Sequence, residues 1–252
     1  MNTVLITGCS TGFGRETAIH FLERGWNVVA TMRDLSTNTL PESDRLRSLR
    51  LDVTDADSIA AAVATAGTID VLVKNAGVGW LNAVEGTSMA TVRRIFETNT
   101  FSTVAMMQAV IPGMRERRTG AIVNVGSSTT IRSLPLLSIY RASKAAVNAL
   151  TESAALELAE FGIRARVVMP GAAPTTSFGG SARTQIMAQG GFPDPYADFV
   201  QQTVAAMQRH TAGGDVTTPQ DVAEAIYRAA TDQDCPMILP AGADAIAWSE
   251  GR

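Results

Sequence analysis

The sequence predicts a single α/β domain, doubly wound around a mostly parallel seven-stranded sheet, with one long insertion late in the chain. Three observations carry this. Short β-branched runs alternate with helical stretches, some of the runs are apolar at every position, and a glycine-rich turn separates the first run from the first helix. The predicted strands are Val4–Ile6, Val28–Thr31, Arg50–Val53, Val71–Val73, Ala121–Val125, Arg164–Val168 and Met237–Leu239. A strand with one wet face would alternate, so the continuous run Val71-Leu72-Val73 asks for cover on both sides. Amphipathic or alanine-rich helices lie between, as in Ser58–Ala66, Thr91–Met114 and Tyr140–Phe161. Thr218-Pro219-Gln220-Asp221 starts a late helix with an N-cap threonine, proline at the first position and an acid in the first turn. The stretch from Ala172 to about Asp215 breaks the rhythm. Its glycine pairs Gly179-Gly180 and Gly190-Gly191 can serve as hinges between helix-like pieces, so a mobile lid is expected, with a static packed insertion as the rival.

Bulk properties narrow the function. At 252 residues the chain has ample length for one buried core. A formal net charge of −3 gives no electrostatic footprint for nucleic acid or an anionic membrane, and no apolar run has the length of a membrane span. The first strand begins at Thr3, leaving no room ahead of it for a signal peptide, and a cytoplasmic location is expected. Cys9 and Cys235 have neither redox nor metal-ligand spacing, and His20 and His210 lack a ligand partner, so no metal site is expected.

The first strand runs into Thr7-Gly8-Cys9-Ser10-Thr11-Gly12-Phe13-Gly14 and then into helix. Gly8, Gly12 and Gly14 let backbone turn tightly and approach a diphosphate, while Ser10, Thr11 and Phe13 complete the loop at the helix N-terminus, which attracts negative charge. An NAD site places an acid near the end of the second strand, to hold the ribose 2′-hydroxyl. Here Met32 holds that place and Arg33 follows, an arginine suited to a 2′-phosphate, so NADP is favoured; a one-residue slip to Asp34 would restore NAD.

Tyr140 and Lys144 are the most informative pair. The chain has nineteen arginines and only two lysines, so composition gives lysine no general reason to stand four residues after a tyrosine. On a helix that spacing puts both on one face. Tyrosine titrates near ~10, and one cation at about 4 Å in an effective dielectric near 20 supplies roughly the 4 kcal/mol that a three-unit drop requires. The expectation is a tyrosine whose pKa is pulled toward neutrality by Lys144, able to act as general acid or base.

With these residues placed, the chain resembles the short-chain dehydrogenase/reductase family over most of its length, less so after about Ser177. The resemblance implies a Rossmann fold, with Gly8, Gly12 and Gly14 as the cofactor loop, Asp52-Val53 as the adenine-contacting pair and Asn75-Ala76-Gly77 as the strand-four motif. It implies a catalytic tetrad of Asn99, Ser127, Tyr140 and Lys144, with Ser127 thirteen residues before Tyr140 and Asn99 twenty-eight before Ser127. Ser128 is the alternative serine. Pro170-Gly171 and Thr175 match the segment that holds the nicotinamide carboxamide. Lys74 departs from the family, which often has asparagine there; this puts sheet-edge packing in doubt rather than chemistry.

By that resemblance the protein is an NADP-dependent oxidoreductase that interconverts a ketone or aldehyde with an alcohol, the two cofactor-holding groups Tyr140 and Lys144 also handling the proton. Ser127 would bind the carbonyl, Tyr140 deliver the proton, Lys144 grip the nicotinamide ribose and Asn99 anchor a water. The alternative is a catalytically silent NADP-binding regulator or scaffold. Trp80, Leu134, Leu136, Met169 and Phe178 are candidates for a hydrophobic, possible steroid-type substrate pocket, with core packing as the rival for each. A homodimer or homotetramer is expected through the helices Thr91–Met114 and Tyr140–Phe161.

Overall fold

Val4 and Ile6 point to one side of the first strand and Leu5 to the other, and all three are fully buried, which is possible only with helices on both faces. The computed structural model describes residues 2–212, 214 and 216–251. In chain order its elements are β1 (Thr3–Thr7), α1 (Gly12–Glu23), β2 (Asn27–Met32), β3 (Leu46–Arg50), α2 (Ala56–Ala66) and β4 (Val71–Lys74). Then come α3 (Met89–Phe96), a π-helical turn (Glu97–Phe101), α4 (Ser102–Arg117), β5 (Gly120–Val125), α5 (Ser138–Ala159) and β6 (Ile163–Pro170). The last are α6 (Ser177–Ala188), α7 (Ala197–Ala212), α8 (Pro219–Thr231), β7 (Ile238–Ala241) and α9 (Ala243–Ser249).

The seven strands are all parallel, in the order β3-β2-β1-β4-β5-β6-β7. Val4 pairs with Val28 on one side and Val71 on the other, so strand order reverses at β1. Connections leave β1 and β4 in opposite directions there, opening a crevice at the carboxyl ends of the strands. One core packs Val4, Ile6, Phe21, Val28 and Ile226 beneath α1 and α8. The other packs Leu5, Leu72, Met106, Met114, Ile122 and Leu158 beneath α2, α4 and α5.

Three expectations change. The third strand is Leu46–Arg50, not Arg50–Val53: it is the edge strand, only half covered, so its charged Arg47 and Arg50 are tolerated while Asp52-Val53 fall in the loop beyond it. The helix expected over Thr91–Met114 is two helices joined by the π turn, and that turn carries Asn99. Gly179 and Gly180 lie inside α6 and not at a hinge, while Gly190 and Gly191, with φ of +94° and +79°, do form the turn that ends it. Gly213 and Asp215, at the end of that insertion, lie outside the described residues. The late helix starts as its sequence indicates: Thr218 and Asp221 form a reciprocal capping box. Among the described residues no helix is long and apolar enough to cross a membrane.

Candidate active site

Thr7 closes the crevice at its base. Its hydroxyl oxygen accepts from the backbone N–H groups of Asn75 (3.0 Å) and Ala76 (2.9 Å), while the Asn75 amide donates back to the Thr7 and Gly8 carbonyls. Lys74 therefore sits at the end of a central strand and not at a sheet edge, between β1 and β5. The glycines of the loop serve two purposes. Gly8 and Gly12 adopt φ of +75° and +58°, a left-handed region unfavourable to other residues. Gly14 is helical, but a Cβ on it would lie 2.2 Å from the Gly8 carbonyl oxygen, so only glycine lets α1 come this near the loop.

A cleft of about 650 Å³ runs along the carboxyl edge of the sheet. One end is formed by Met32, Arg33, Asp52 and Val53, the middle by Gly8, Ser10, Thr11, Gly12, Phe13, Asn75, Ala76 and Gly77, and the other end by Ser127, Tyr140, Lys144, Pro170 and Gly171. The structure thus gathers into one space residues that the sequence spreads over more than half its length. The residues of the cleft fit a dinucleotide: two glycines in left-handed backbone, a third that excludes any Cβ, and the N-terminus of α1 lining the middle, where a diphosphate would be met by backbone N–H groups and the helix dipole. Residues of the adenosine end would hold its sugar and base, and those of the far end the nicotinamide, whose chemistry is hydride transfer.

Some expected residues stand elsewhere. Gly14 and Thr175 are not in the lining; Thr176, beside Thr175, is, and a Cβ on Gly12 would touch it at 3.7 Å. Asn99 lies behind the cleft: its amide donates to the Val78 carbonyl and Ser143 Oγ (both 3.0 Å) and accepts from Val78 N–H (2.8 Å). Ser127 lines the cleft and Ser128 does not, which separates the two serines. Of the candidate substrate residues only Phe178 reaches the lining; Trp80, Leu136 and Met169 are buried in packing, and Leu134 is half-buried outside it. At the adenosine end Arg33 lines the cleft, whereas Asp34 turns its carboxylate to Ser36, whose hydroxyl and backbone N–H (2.9 Å) hold its pKa down. Asp52 is held below the usual carboxylate range by the backbone N–H and hydroxyl of Thr54.

The electrostatics of the chemical end differ from the sequence expectation. Burial pushes the Tyr140 phenol up to about 12, and a hydrogen bond with Ser127 only partly opposes it. Lys144 does not lower it here, because the lysine Nζ is turned to donate to the Val125 carbonyl at 2.8 Å. Burial also brings Lys144 itself down to about 8. The shared helical face brings both residues to the cleft, as the spacing requires, but desolvation is the main cause of both shifts.

The insertion is seated and not extended into solvent. Arg94 of α3 donates to Gln185 Oε1 (2.8 Å), Thr91 to Gln189 (2.5 Å) and Asn82 to the Gly191 carbonyl (3.1 Å). Ile186 is buried with Trp80, Ile95 and Tyr140, and the Phe178 ring meets Tyr140 edge-on at 5.7 Å. Arg94, Glu97, Ser181 and Gln185 also line the cleft beside Phe178 and were missed in the sequence. The only signal was position: Arg94 lies one helical turn before Thr98, which precedes the motif residue Asn99.

A crevice at the strand-order reversal, a glycine cradle and a tyrosine–lysine–serine cluster define a nicotinamide-dependent oxidoreductase of the doubly wound class. The chain belongs to the short chain dehydrogenase family, whose pattern it matches over residues 2–186. It is 35% identical over 248 residues to human (Homo sapiens) retinol dehydrogenase 8, covering 93% of this chain and 79% of that one. Human 17-beta-hydroxysteroid dehydrogenase type 1 is 38% identical over 179 residues, 66% of this chain and 55% of the relative. A short-chain dehydrogenase from Streptomyces avermitilis superposes with a TM-score of 0.82 at 32% identity, covering all of this chain and 92% of the other. Two further solved relatives are a Burkholderia cenocepacia short chain dehydrogenase in complex with NADP (TM-score 0.77, 26% identity, covering 99% and 92%) and a Brucella melitensis 3-ketoacyl-(acyl-carrier-protein) reductase with NADH (0.78, 26%, 95% and 96%).

Burial of Lys144 has a consequence for stability. Its pKa is lower folded than unfolded, so the unfolded chain takes up the proton first as pH falls, and the cost is complete below about 8. Lys144→Met should therefore raise the melting temperature of the cofactor-free protein at neutral pH, equivalent to about 1–3 kcal/mol. The gain should shrink as pH rises from about 8 toward the unfolded value. Thermal melts across pH would read this; a variant destabilised equally at every pH would contradict it.

Proposed function

We propose that the protein is an NADP(H)-dependent oxidoreductase that interconverts a hydrophobic ketone or aldehyde and its alcohol. The observation that carries this is the convergence of Ser127, Tyr140 and Lys144 at one end of the dinucleotide cleft, facing Phe178. Ser127 binds the carbonyl oxygen, polarising it, and Tyr140 donates the proton that oxygen needs as the alcohol forms; in the reverse direction Tyr140 accepts it. Lys144 orients the nicotinamide ribose and, once turned from Val125 toward Tyr140, favours the phenolate. Asn99 holds the segment Val78–Gly79 and Ser143 in place behind them. The Phe178 ring beside Tyr140 at the cleft supports an apolar substrate, as do the retinol and hydroxysteroid dehydrogenases among its relatives. Because Phe178 rests on Tyr140, α6 acts as a lid that lifts to admit substrate.

Tyr140→Phe should cut turnover by ~10²–10⁴, the usual worth of a positioned acid, with folding and NADPH binding unchanged. Initial rates paired with fluorescence titration of NADPH check this, and a variant that keeps about a tenth or more of wild-type kcat removes Tyr140 from the chemistry.

NADP is the preferred cofactor on this reading because Arg33 lines the adenosine end and Asp34 is engaged with Ser36. Arg33→Ala should weaken NADPH by ~1.5–3 kcal/mol, the strength of a charge-assisted contact, and NADH far less. Equal losses, read by titrating both cofactors, would reject the assignment.

The protein assembles as a homo-oligomer on the same reading. Phe101, beside α4, and Leu156 on α5 stand exposed on the outer side, with Leu156 exposed over 82% of its surface. Light scattering at micromolar concentration should give a dimer or tetramer mass, and a monomer mass would be the contrary result.

A further inference from the structure

Both lysines of the chain are buried, and both stand at this site. Lys144 has the role described above. Lys74, at the carboxyl end of β4, is 3% exposed and does not line the cleft. Its Nζ donates to the Ala76 carbonyl and, at 2.9 Å, to the Thr98 carbonyl. Thr98 belongs to the π turn that carries Asn99, and Ala76 to the Asn75-Ala76-Gly77 segment. One side chain therefore ties together two backbone segments that frame the chemistry.

No carboxylate compensates it: the ion pair formed among the described residues is Arg228–Asp232, remote in sequence and exposed. Lys144 Nζ, a like charge, lies 3.5 Å from where a Cβ on Gly77 would be. On the elements packed around Lys74, the titratable groups are Tyr140 and Lys144 of α5 and Glu97 of the π turn; its sheet neighbours Thr7 and Asn124 are neutral. Burial, and then the charge of Lys144, hold the Lys74 pKa well below the usual lysine range. A buried cation with carbonyl partners alone and a like charge nearby gives up its proton in preference to remaining charged.

We propose that Lys74 is a positioning residue working as an uncharged amine: it bridges the carbonyls of Ala76 and Thr98, fixes the π turn that presents Asn99, and leaves the positive charge to Lys144. A neutral amine keeps two N–H donors for two carbonyls without adding a second cation beside the nicotinamide. The role assigned to Lys74 in turnover rests on the carbonyl–alcohol reading, but its charge state does not.

The chain suits a direct test, because lysine labelled with ¹³C at Cε gives only two signals in the intact protein, assigned with Lys74→Gln. Near neutral pH, with and without NADP⁺, the Lys74 signal should have the shift of a free amine; an ammonium shift there overturns the proposal. This measurement uses the wild-type chain, so it stands even where a variant fails to fold. In turnover, Lys74→Met should lower kcat roughly tenfold to a hundredfold, as small misplacements of catalytic groups do, with KM for NADPH unchanged. Lys74→Gln, which keeps an NH₂ donor and no charge, should restore most of it. Wild-type kcat in Lys74→Met, or no rescue by Lys74→Gln, overturns the positioning role. A chain that turns over no carbonyl or alcohol while Lys74 reads as an amine would fault the proposed function and not the charge assignment.

Discussion

The stitch between Thr7 and Asn75 is the constraint on which the site depends. In a parallel sheet the strands β1 and β4 send their chains to opposite faces, and nothing in the ladder itself fixes the distance between the loops that follow. Thr7 fixes it by accepting two backbone N–H groups from Asn75-Ala76, and the Asn75 amide returns the bond to Thr7 and Gly8. Gly14 can then approach Gly8 within a space that admits no Cβ, and the glycine cradle faces the segment that leads to Asn99. Loss of this stitch would widen the cleft where the diphosphate and nicotinamide ribose must be gripped together.

Much of this was legible in the sequence because it follows from local patterns. Val71-Leu72-Val73 declared a strand covered on both faces, and Thr218-Pro219 with Asp221 declared a capped helix start. Tyr140 and Lys144 were visible through spacing and through the rarity of lysine. What escaped were features set by distant parts of the chain. The third strand ends at Arg50, two residues ahead of the Asp52-Val53 motif, and because an edge strand needs little hydrophobicity its signal was weaker than that of the loop after it. The π turn has no sequence signature; it exists because Asn99 is drawn to Val78 and Ser143, and Thr98 to Lys74. Likewise the pairing of Arg94 with Gln185 spans ninety-one residues, beyond any periodicity.

The charges at the chemical end are governed by burial more than by pairing. Tyr140 sits at about 12 and Lys144 at about 8, so each is pushed toward its neutral form by desolvation. The phenol is thereby pushed toward keeping its proton, and the lysine Nζ donates to the Val125 carbonyl. The Phe178 ring of α6 lies against Tyr140, and Ile186 packs with Trp80, Ile95 and Tyr140.

The central functional question is whether the chain moves a hydride between a nicotinamide cofactor and a carbonyl. The most direct measurement is NADPH consumption against a panel of hydrophobic ketones and aldehydes, with product alcohol quantified alongside and the reverse reaction run with NADP⁺. Consumption should be matched one to one by alcohol for at least one apolar substrate, faster with NADPH than with NADH. Tight NADPH binding with no turnover of any carbonyl or alcohol would contradict it, and would make the protein a cofactor-binding regulator or scaffold instead.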